Sequence, residues 1–329
     1  MGAYKSTDSL RLEAGRSVIA DDVAAGLLRH PKSLPPTLFY DAEGSALFEQ
    51  ITELPEYYLT RTERQILETH ATEMIALAGA NLSLVELGAG TAAKTGTLIR
   101  ALLNRQLRVE YYPIDVCADA LEVARESLTA ISPRVRVHPV VVDYTQDLDG
   151  IHRIPGQKLA LYLGSSIGNF EQHEAIAILQ RLRSRFQPGD AFLLGTDLVK
   201  SAAVLQPAYD DSSGITARFN KNMLARVNRE LGGEFDLGKF RHIAEWNPGQ
   251  SRMQMYLEST EAQTVHIHHL RVRVAFNEGE RIHTENSHKF TLQMVRSILS
   301  EGGFELERTW TDERGWFSVH LARAAGFTA

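Results

Sequence analysis

A chain of 329 residues with 43% hydrophobic content can bury a large core, so it should hold one large domain or two smaller ones. Its formal charge of −6 at pH 7, with no Lys/Arg cluster beyond a short solvated face, argues against a nucleic-acid partner. A single cysteine, Cys117, excludes an internal disulfide and fits a reducing cytoplasm, while residues 1–12 offer neither an apolar leader core nor a membrane-length run, which disfavours secretion and membrane spanning.

Apolar positions at helical spacing run from about 10 to 28. The stretch PKSLPP at 31–36 predicts an extended loop, because each proline fixes its own φ and restricts the residue before it. Thr60 and Glu63 have the spacing of a capping box opening the next helix. From Leu82, apolar strands at 83–87, 108–114, 135–142, 158–163 and 190–195 alternate with helical stretches, the rhythm of a parallel, doubly wound sheet with right-handed crossovers. Near Asp197 the pattern changes. A polar loop at 209–214 precedes a helix to about Leu231, stopped by Gly232-Gly233. Period-two runs at 241–246, 250–260, 263–275 and 280–288, with turns at 247–249 and 277–279, predict antiparallel hairpins. A helix over 291–301 and strands over 304–311 and 316–323 close the chain.

The string LVELGAG at 84–90 joins a buried strand to a glycine turn, which suits a parallel strand whose carboxyl end faces a ligand. A third glycine is missing, since Lys94 and Thr95 follow, and this disfavours a nicotinamide dehydrogenase. Glu86, the acid before the glycines, resembles the first motif of S-adenosylmethionine (SAM) methyltransferases. Asp115, ending the second strand, lies where one carboxylate can accept both ribose hydroxyls, although aspartate also caps helices. Asp143 and Tyr144 end the third strand, where an acid can accept from an adenine amino group and a ring can pack on the base. Lys94 fits either the methionine carboxylate of SAM or a solvated helix face. Asn169, in GSSIGNF at 164–170, suits a substrate carboxylate or a turn. His266, His268 and His269 have no carboxylate or cysteine close in sequence to complete a metal set, so no metal is expected.

Six strings, PKSLPPTLFYDAEGSALFEQIT, LPEYYLTRTE, VELGAGTAAKT, YLGSSIGNF, GTDLVK and AYDDSSGITARFN, together resemble the histidine-specific SAM-dependent methyltransferases that begin ergothioneine synthesis. The resemblance runs from Pro31 to the C-terminal hairpin. It implies an α/β fold: a class I SAM-methyltransferase doubly wound sheet with a C-terminal antiparallel hairpin, plus a smaller α+β substrate domain. The SAM-binding domain would comprise 60–197 and 290–329. The substrate domain would comprise 10–59 and 198–289, packed over the cofactor crevice.

The resemblance further implies that Gly88, Lys94, Asp115, Asp143 and Tyr144 bind SAM. Tyr57, Asn169, Tyr209, Met255, Glu285 and Ser287 would surround L-histidine, with Tyr40, Phe48 and Gly164 shaping the space near its amine. Tyr40, Tyr57 and Asn169 would be the catalytic residues, Asn169 and Tyr209 would meet the α-carboxylate, and Glu285 and Ser287 the imidazole. The last pair also stands on spacing: two apart in an alternating strand, both project from one face and offer an acceptor and a hydroxyl to a two-nitrogen ring. Ala89, where serine is common, and Leu59, where proline is common, depart mildly from the family pattern. The implied protein is a cytoplasmic monomer without metal, nucleic acid or membrane, converting histidine to trimethylhistidine (hercynine). The rival readings are a same-fold enzyme for tryptophan or a prenylated tryptophan, which Glu285 opposes, and a catalytically silent SAM-binding regulator.

Overall fold

A computed structural model describes residues 19–324. The chain divides into two compact units: one comprises Thr52–Leu205, Asn247–Arg252 and the residues from Asn286 onward, and the other comprises the residues up to Ile51, Gln206–Trp246 and Met253–Glu285.

The first unit is built on a sheet whose seven principal strands are, in chain order, Leu82–Leu87, Val109–Asp115, Val135–Val137, Gln157–Tyr162, Ala191–Asp197, Phe304–Thr311 and Phe317–Ala324. Across the sheet they lie third, second, first, fourth, fifth, seventh, sixth. The first five pair in parallel. The seventh runs antiparallel between the fifth and the sixth. This is the class I methyltransferase sheet with its C-terminal hairpin. Strand order reverses at the first strand, whose neighbours are the second and the fourth, and such a switch point leaves a crevice at the carboxyl ends where a ligand fits. All six residues of the first strand are buried, as expected when helices cover both sheet faces. Leu82 and Leu84 join a core with Ile66, Leu67 and Met74 of the helix Tyr58–Ala78. Val85 and Leu87 join another with Ile178 and Leu179 of Gln172–Arg183 and Ile298 and Leu299 of Leu292–Glu301.

The other unit carries most of a four-stranded sheet ordered Lys32–Ser33, Arg281–His288, Arg252–Ser259, Phe240–Asn247. The short Lys32–Ser33 strand, which the proline-rich run did not predict, pairs in parallel with Ile282 and His283. A separate antiparallel hairpin joins Gln263–Ile267 to Val272–Phe276.

Four expectations need correction, and a fifth is only partly described. The capping box does not form: the helix begins at Tyr58, so Thr60 and Glu63 lie inside its first turns, and the fully buried Glu63 bonds to groups far along the chain. The third strand breaks at 138–139 into Val135–Val137 and Val140–Val141, because Pro139 offers no amide to a ladder. The run 263–275 is two strands, turning where Arg271 takes a φ of 54°. Tyr209 belongs to a helix, Ala202–Tyr209, with Pro207 inside it, and not to a loop. The expected helix from about 10 is described from residue 19 to 28; its earlier part lies outside the described residues.

Candidate active site

In the first unit, the strand Leu82–Leu87 delivers the chain into the glycine turn. Gly88 and Gly90 take φ of 63° and 52°, left-handed values that glycine adopts at little cost. A side chain at Gly88 would meet the Tyr144 ring at 3.4 Å, whereas nothing lies within 4 Å of a Cβ added at Gly90. Asp115 is anchored here, accepting the Gly90 N–H and the Cys117 N–H, each at 2.9 Å. Burial pushes its carboxyl up, and these backbone donors oppose that shift. Asp143 accepts the Thr145 N–H and hydroxyl through Oδ1, at 2.8 and 2.6 Å. Tyr144 packs edge-on to Tyr162 and receives the Tyr162 hydroxyl hydrogen at 3.2 Å. Gly88, Asp115, Asp143 and Tyr144 therefore gather at the carboxyl ends of the first three strands.

Glu86 turns the other way. Its Oε2 accepts the Thr95 hydroxyl at 2.6 Å and the Tyr111 hydroxyl, tying the first strand to the following helix and the second strand. Burial, against those two hydrogen bonds, pushes its carboxyl up to about 7. Lys94 is not a surface lysine: it pairs with Glu63, whose two oxygens also accept the Gly164 N–H at 2.9 Å each. A Cβ at Gly195 would fall 2.1 Å from Glu63 Oε1, so glycine at this point of the fifth strand makes room for the carboxylate.

The loop after the fourth strand turns through Gly164 and Ser165, at φ of 77° and 60°, into a short 3-10 helix, Ser166–Asn169. The half-buried Asn169 amide hydrogen-bonds to no side chain or backbone group among the described residues. Asp197, ending the fifth strand, is a hub that the sequence reading missed. Its N–H donates to Ser165 Oγ at 2.9 Å, and Oδ2 accepts the Tyr58 hydroxyl at 2.7 Å and pairs with Lys289 at 2.9 Å. Oδ1 pairs with Lys200 at 2.5 Å. Burial pulls Lys200 down to about 8 against the attraction of Asp197. Lys289 donates in turn to Ser287 Oγ at 2.8 Å. Tyr57, beside Tyr58, is buried at the start of its helix, and its carbonyl accepts from Arg61 at 3.1 Å.

In the other unit, Tyr40 and Phe48 pack edge to face at 6.2 Å, each against Phe219, which also stacks on Phe39 at 4.5 Å. The Tyr209 carbonyl accepts from His242 Nε2 at 2.8 Å, and Asn220 Nδ2 donates to His242 Nδ1 at 2.8 Å. These contacts specify one neutral imidazole, and burial lowers the His242 pKa accordingly. Met255 is buried on Arg252–Ser259, and Glu285 on the neighbouring Arg281–His288 strand, which continues to Ser287. The histidine cluster is a surface feature: His268 is exposed and pairs with Glu234, and His269 bonds the Glu230 carbonyl. Among the described residues no group of three or more His, Cys, Asp or Glu could hold a metal, and no helix is long and apolar enough to cross a membrane.

A left-handed glycine turn with open space at Gly90, a strand-end carboxylate and an aromatic ring over Gly88 fit SAM, and with this strand order they define a class I SAM-dependent methyltransferase. Comparison with known proteins narrows the class. The chain belongs to the family described as "Histidine-specific methyltransferase, SAM-dependent", whose profile matches residues 19–324, and it is a SAM-dependent histidine methyltransferase. It is 45% identical to the histidine N-alpha-methyltransferase of Mycolicibacterium smegmatis, covering 95% of this chain and 97% of that protein. With the Mycobacterium tuberculosis protein of the same name it shares 43% identity over 94% and 96% of the two chains. It is 33% identical to ergothioneine biosynthesis protein 1 of Neurospora crassa, over 85% of this chain and 32% of that longer one.

Proposed function

We propose that this enzyme transfers three methyl groups from SAM to the α-amino nitrogen of L-histidine, giving hercynine, the first step of ergothioneine biosynthesis. The observation that carries the reading is near full-length similarity to two proteins named histidine N-alpha-methyltransferase, supported by one named for ergothioneine biosynthesis. Residues 60–197 with 290–329 serve the cofactor and carry Gly164 and Asn169 for the substrate, and 10–59 with 198–289 supply the other substrate residues. The enzyme works as a cytoplasmic monomer, without nucleic acid or membrane, consistent with its charge of −6.

SAM supplies an activated methyl group on a positively charged sulfur. Asp115 takes the ribose hydroxyls, Asp143 and Tyr144 the adenine, Lys94 the methionine carboxylate, and the Gly88 turn allows close backbone approach. Asn169 receives the α-carboxylate through an amide that the described residues leave unbonded, and Tyr209, its backbone fixed by His242, is the second carboxylate residue. Glu285, Ser287 and Met255 read the ring. Tyr40, Phe48, Tyr57 and Gly164 shape the space at the amine, where the tyrosines orient the lone pair. Holding the two far ends of the substrate leaves the nitrogen able to turn between transfers, so orientation supplies much of the rate. An α-amine with a pKa near 8 or somewhat above keeps a neutral fraction at cytoplasmic pH, and a nearby positive sulfur favours the neutral form further, so the reading calls for no strong protein base.

The test is mass spectrometry of histidine incubated with SAM and purified protein. Three added methyl groups, all fragmenting with the α-nitrogen, are expected. A methyl group on the ring, or a reaction that stops at one, overturns the reading.

A further inference from the structure

Lys289 has no exposed surface, and neither does Asp197. Burying a lysine is expensive unless its ammonium is paired and hydrogen-bonded. Asp197 already has a cation in Lys200 and a neutral donor in Tyr58, so charge balance alone does not call for a second lysine. What Lys289 adds is a bond to Ser287 Oγ at 2.8 Å. Its own position is fixed twice, by the ion pair with Asp197 at 2.9 Å and by its backbone N–H, which donates to the Ser251 carbonyl at 2.7 Å. A serine side chain has three staggered wells, and an ammonium on its oxygen selects among them. The charge also makes this a stronger hydrogen bond than one between neutral groups.

We propose that Lys289, braced by Asp197, is the positioning residue that sets Ser287 Oγ for reading the imidazole of the substrate. The idea rests on the assignment of Ser287 to the histidine ring made above. Lys289 acts through Ser287 and touches neither cofactor nor amine. Asp197 thereby links the ring-reading serine to the fifth strand, and through Ser165 to the loop that carries Asn169.

A double-mutant cycle on the full chain tests this. Lys289→Met keeps the apolar stem and leaves Asp197 paired with Lys200. Loss of a hydrogen bond from a charged donor should raise the histidine KM about 10–100-fold. The SAM Kd should stay within about twofold, and kcat should move less than KM. Ser287→Ala should raise KM similarly, and the double variant should be no worse than the poorer single one, because both remove the same interaction. Lys289→Gln, which retains an N–H donor, should recover part of the affinity and can carry the cycle if Lys289→Met does not fold. Additive losses in the double variant, or equal weakening of SAM, overturn the proposal. So does an unchanged histidine KM in Lys289→Met while Ser287→Ala raises it, and in that case the ring assignment survives. If Ser287→Ala itself leaves KM unchanged, the ring assignment of Ser287 falls and the proposal falls with it.

Discussion

Glu63 and Lys94 form a part-buried ion pair that joins the first long helix to the residue capping the helix after the glycine turn. Glu63 is completely buried and also accepts the Gly164 N–H through both oxygens. One carboxylate thus orients a proposed cofactor lysine and a proposed substrate-loop glycine. Glu63→Gln keeps an acceptor for Gly164 but removes the charge facing Lys94. Breaking one side of a buried pair typically costs 3–5 kcal/mol, and roughly half that is expected here because Lys94 retains some access to water. The expected outcome is a lowered melting temperature together with at least tenfold weaker SAM binding by calorimetry. Unchanged SAM affinity in a folded variant would show that the pair serves stability alone.

Asp115 accepts from the Gly90 and Cys117 amides, so its substitution must separate turn geometry from the proposed ligand contact. Asp115→Asn keeps an acceptor for only one of the two amides, which bond different oxygens, and loses the charge-assisted bonds proposed for the ribose. A loss of about 1.5–3 kcal/mol in SAM binding is expected, with Asp115→Ala worse than Asp115→Asn. Equal and full affinity in both variants would remove Asp115 from the cofactor site.

The sheet was legible because its strands are apolar runs bounded by turn residues, and so were the strand-end positions of Asp115, Asp143 and Tyr144. What escaped the sequence reading was long-range chemistry. Threonine followed three residues later by glutamate has the same spacing whether it caps a helix or lies within one. Its partners Lys94 and Gly164, 31 and 101 residues away, show which role Glu63 takes. Helix Ala202–Tyr209 was hidden by its internal Pro207. The hairpin over 263–276 turns without a glycine or proline, using Arg271 in a left-handed conformation that sequence rules assign to other residues. Asp197 was visible within GTDLVK, but its partners Tyr58, Ser165 and Lys289 come from three separate segments. His242 was missed for the same reason, since the groups that fix its ring are the Tyr209 carbonyl and the Asn220 amide.

Selectivity should rest on Glu285. This buried residue is proposed to accept the ring N–H, and a substrate without one leaves that bond unmade. Sites built to bond a polar group reject analogues lacking it by about 10⁴–10⁵-fold in favourable cases. Phenylalanine and leucine should therefore be very poor substrates. Glu285→Ala with Met255→Val removes the proposed ring acceptor and enlarges the apolar wall, so histidine turnover should fall and tryptophan turnover become measurable. Competition between equal concentrations of histidine and tryptophan reads this directly. A double variant that keeps the parental preference for histidine would show that other residues read the ring.

The pH dependence of stability should hide two opposed titrations. His320 is fully buried among the hydroxyls of Thr196, Thr309 and Ser318, and burial pulls its pKa from 6.5 to about 4. Between those values the unfolded chain takes a proton that the folded chain refuses, so stability falls as pH falls through 6.5 and levels off below about 4. The full swing is about 3 kcal/mol. Glu86 has the reverse sign. Burial raises its carboxyl from 4.5 to about 7, so over that interval the folded chain holds the extra proton and stability falls as pH rises. From 4.5 to 6.5 the two slopes oppose each other. Denaturant titrations at pH 4.5, 5.5, 6.5 and 8 should therefore show the parent changing less across this range than either variant. His320→Gln should expose the Glu86 slope, with stability declining from pH 4.5 to 7 relative to the parent. Glu86→Gln should expose the His320 slope, with stability rising over the same range relative to the parent. Parallel curves for the parent and both variants would mean that neither group changes its proton affinity on folding.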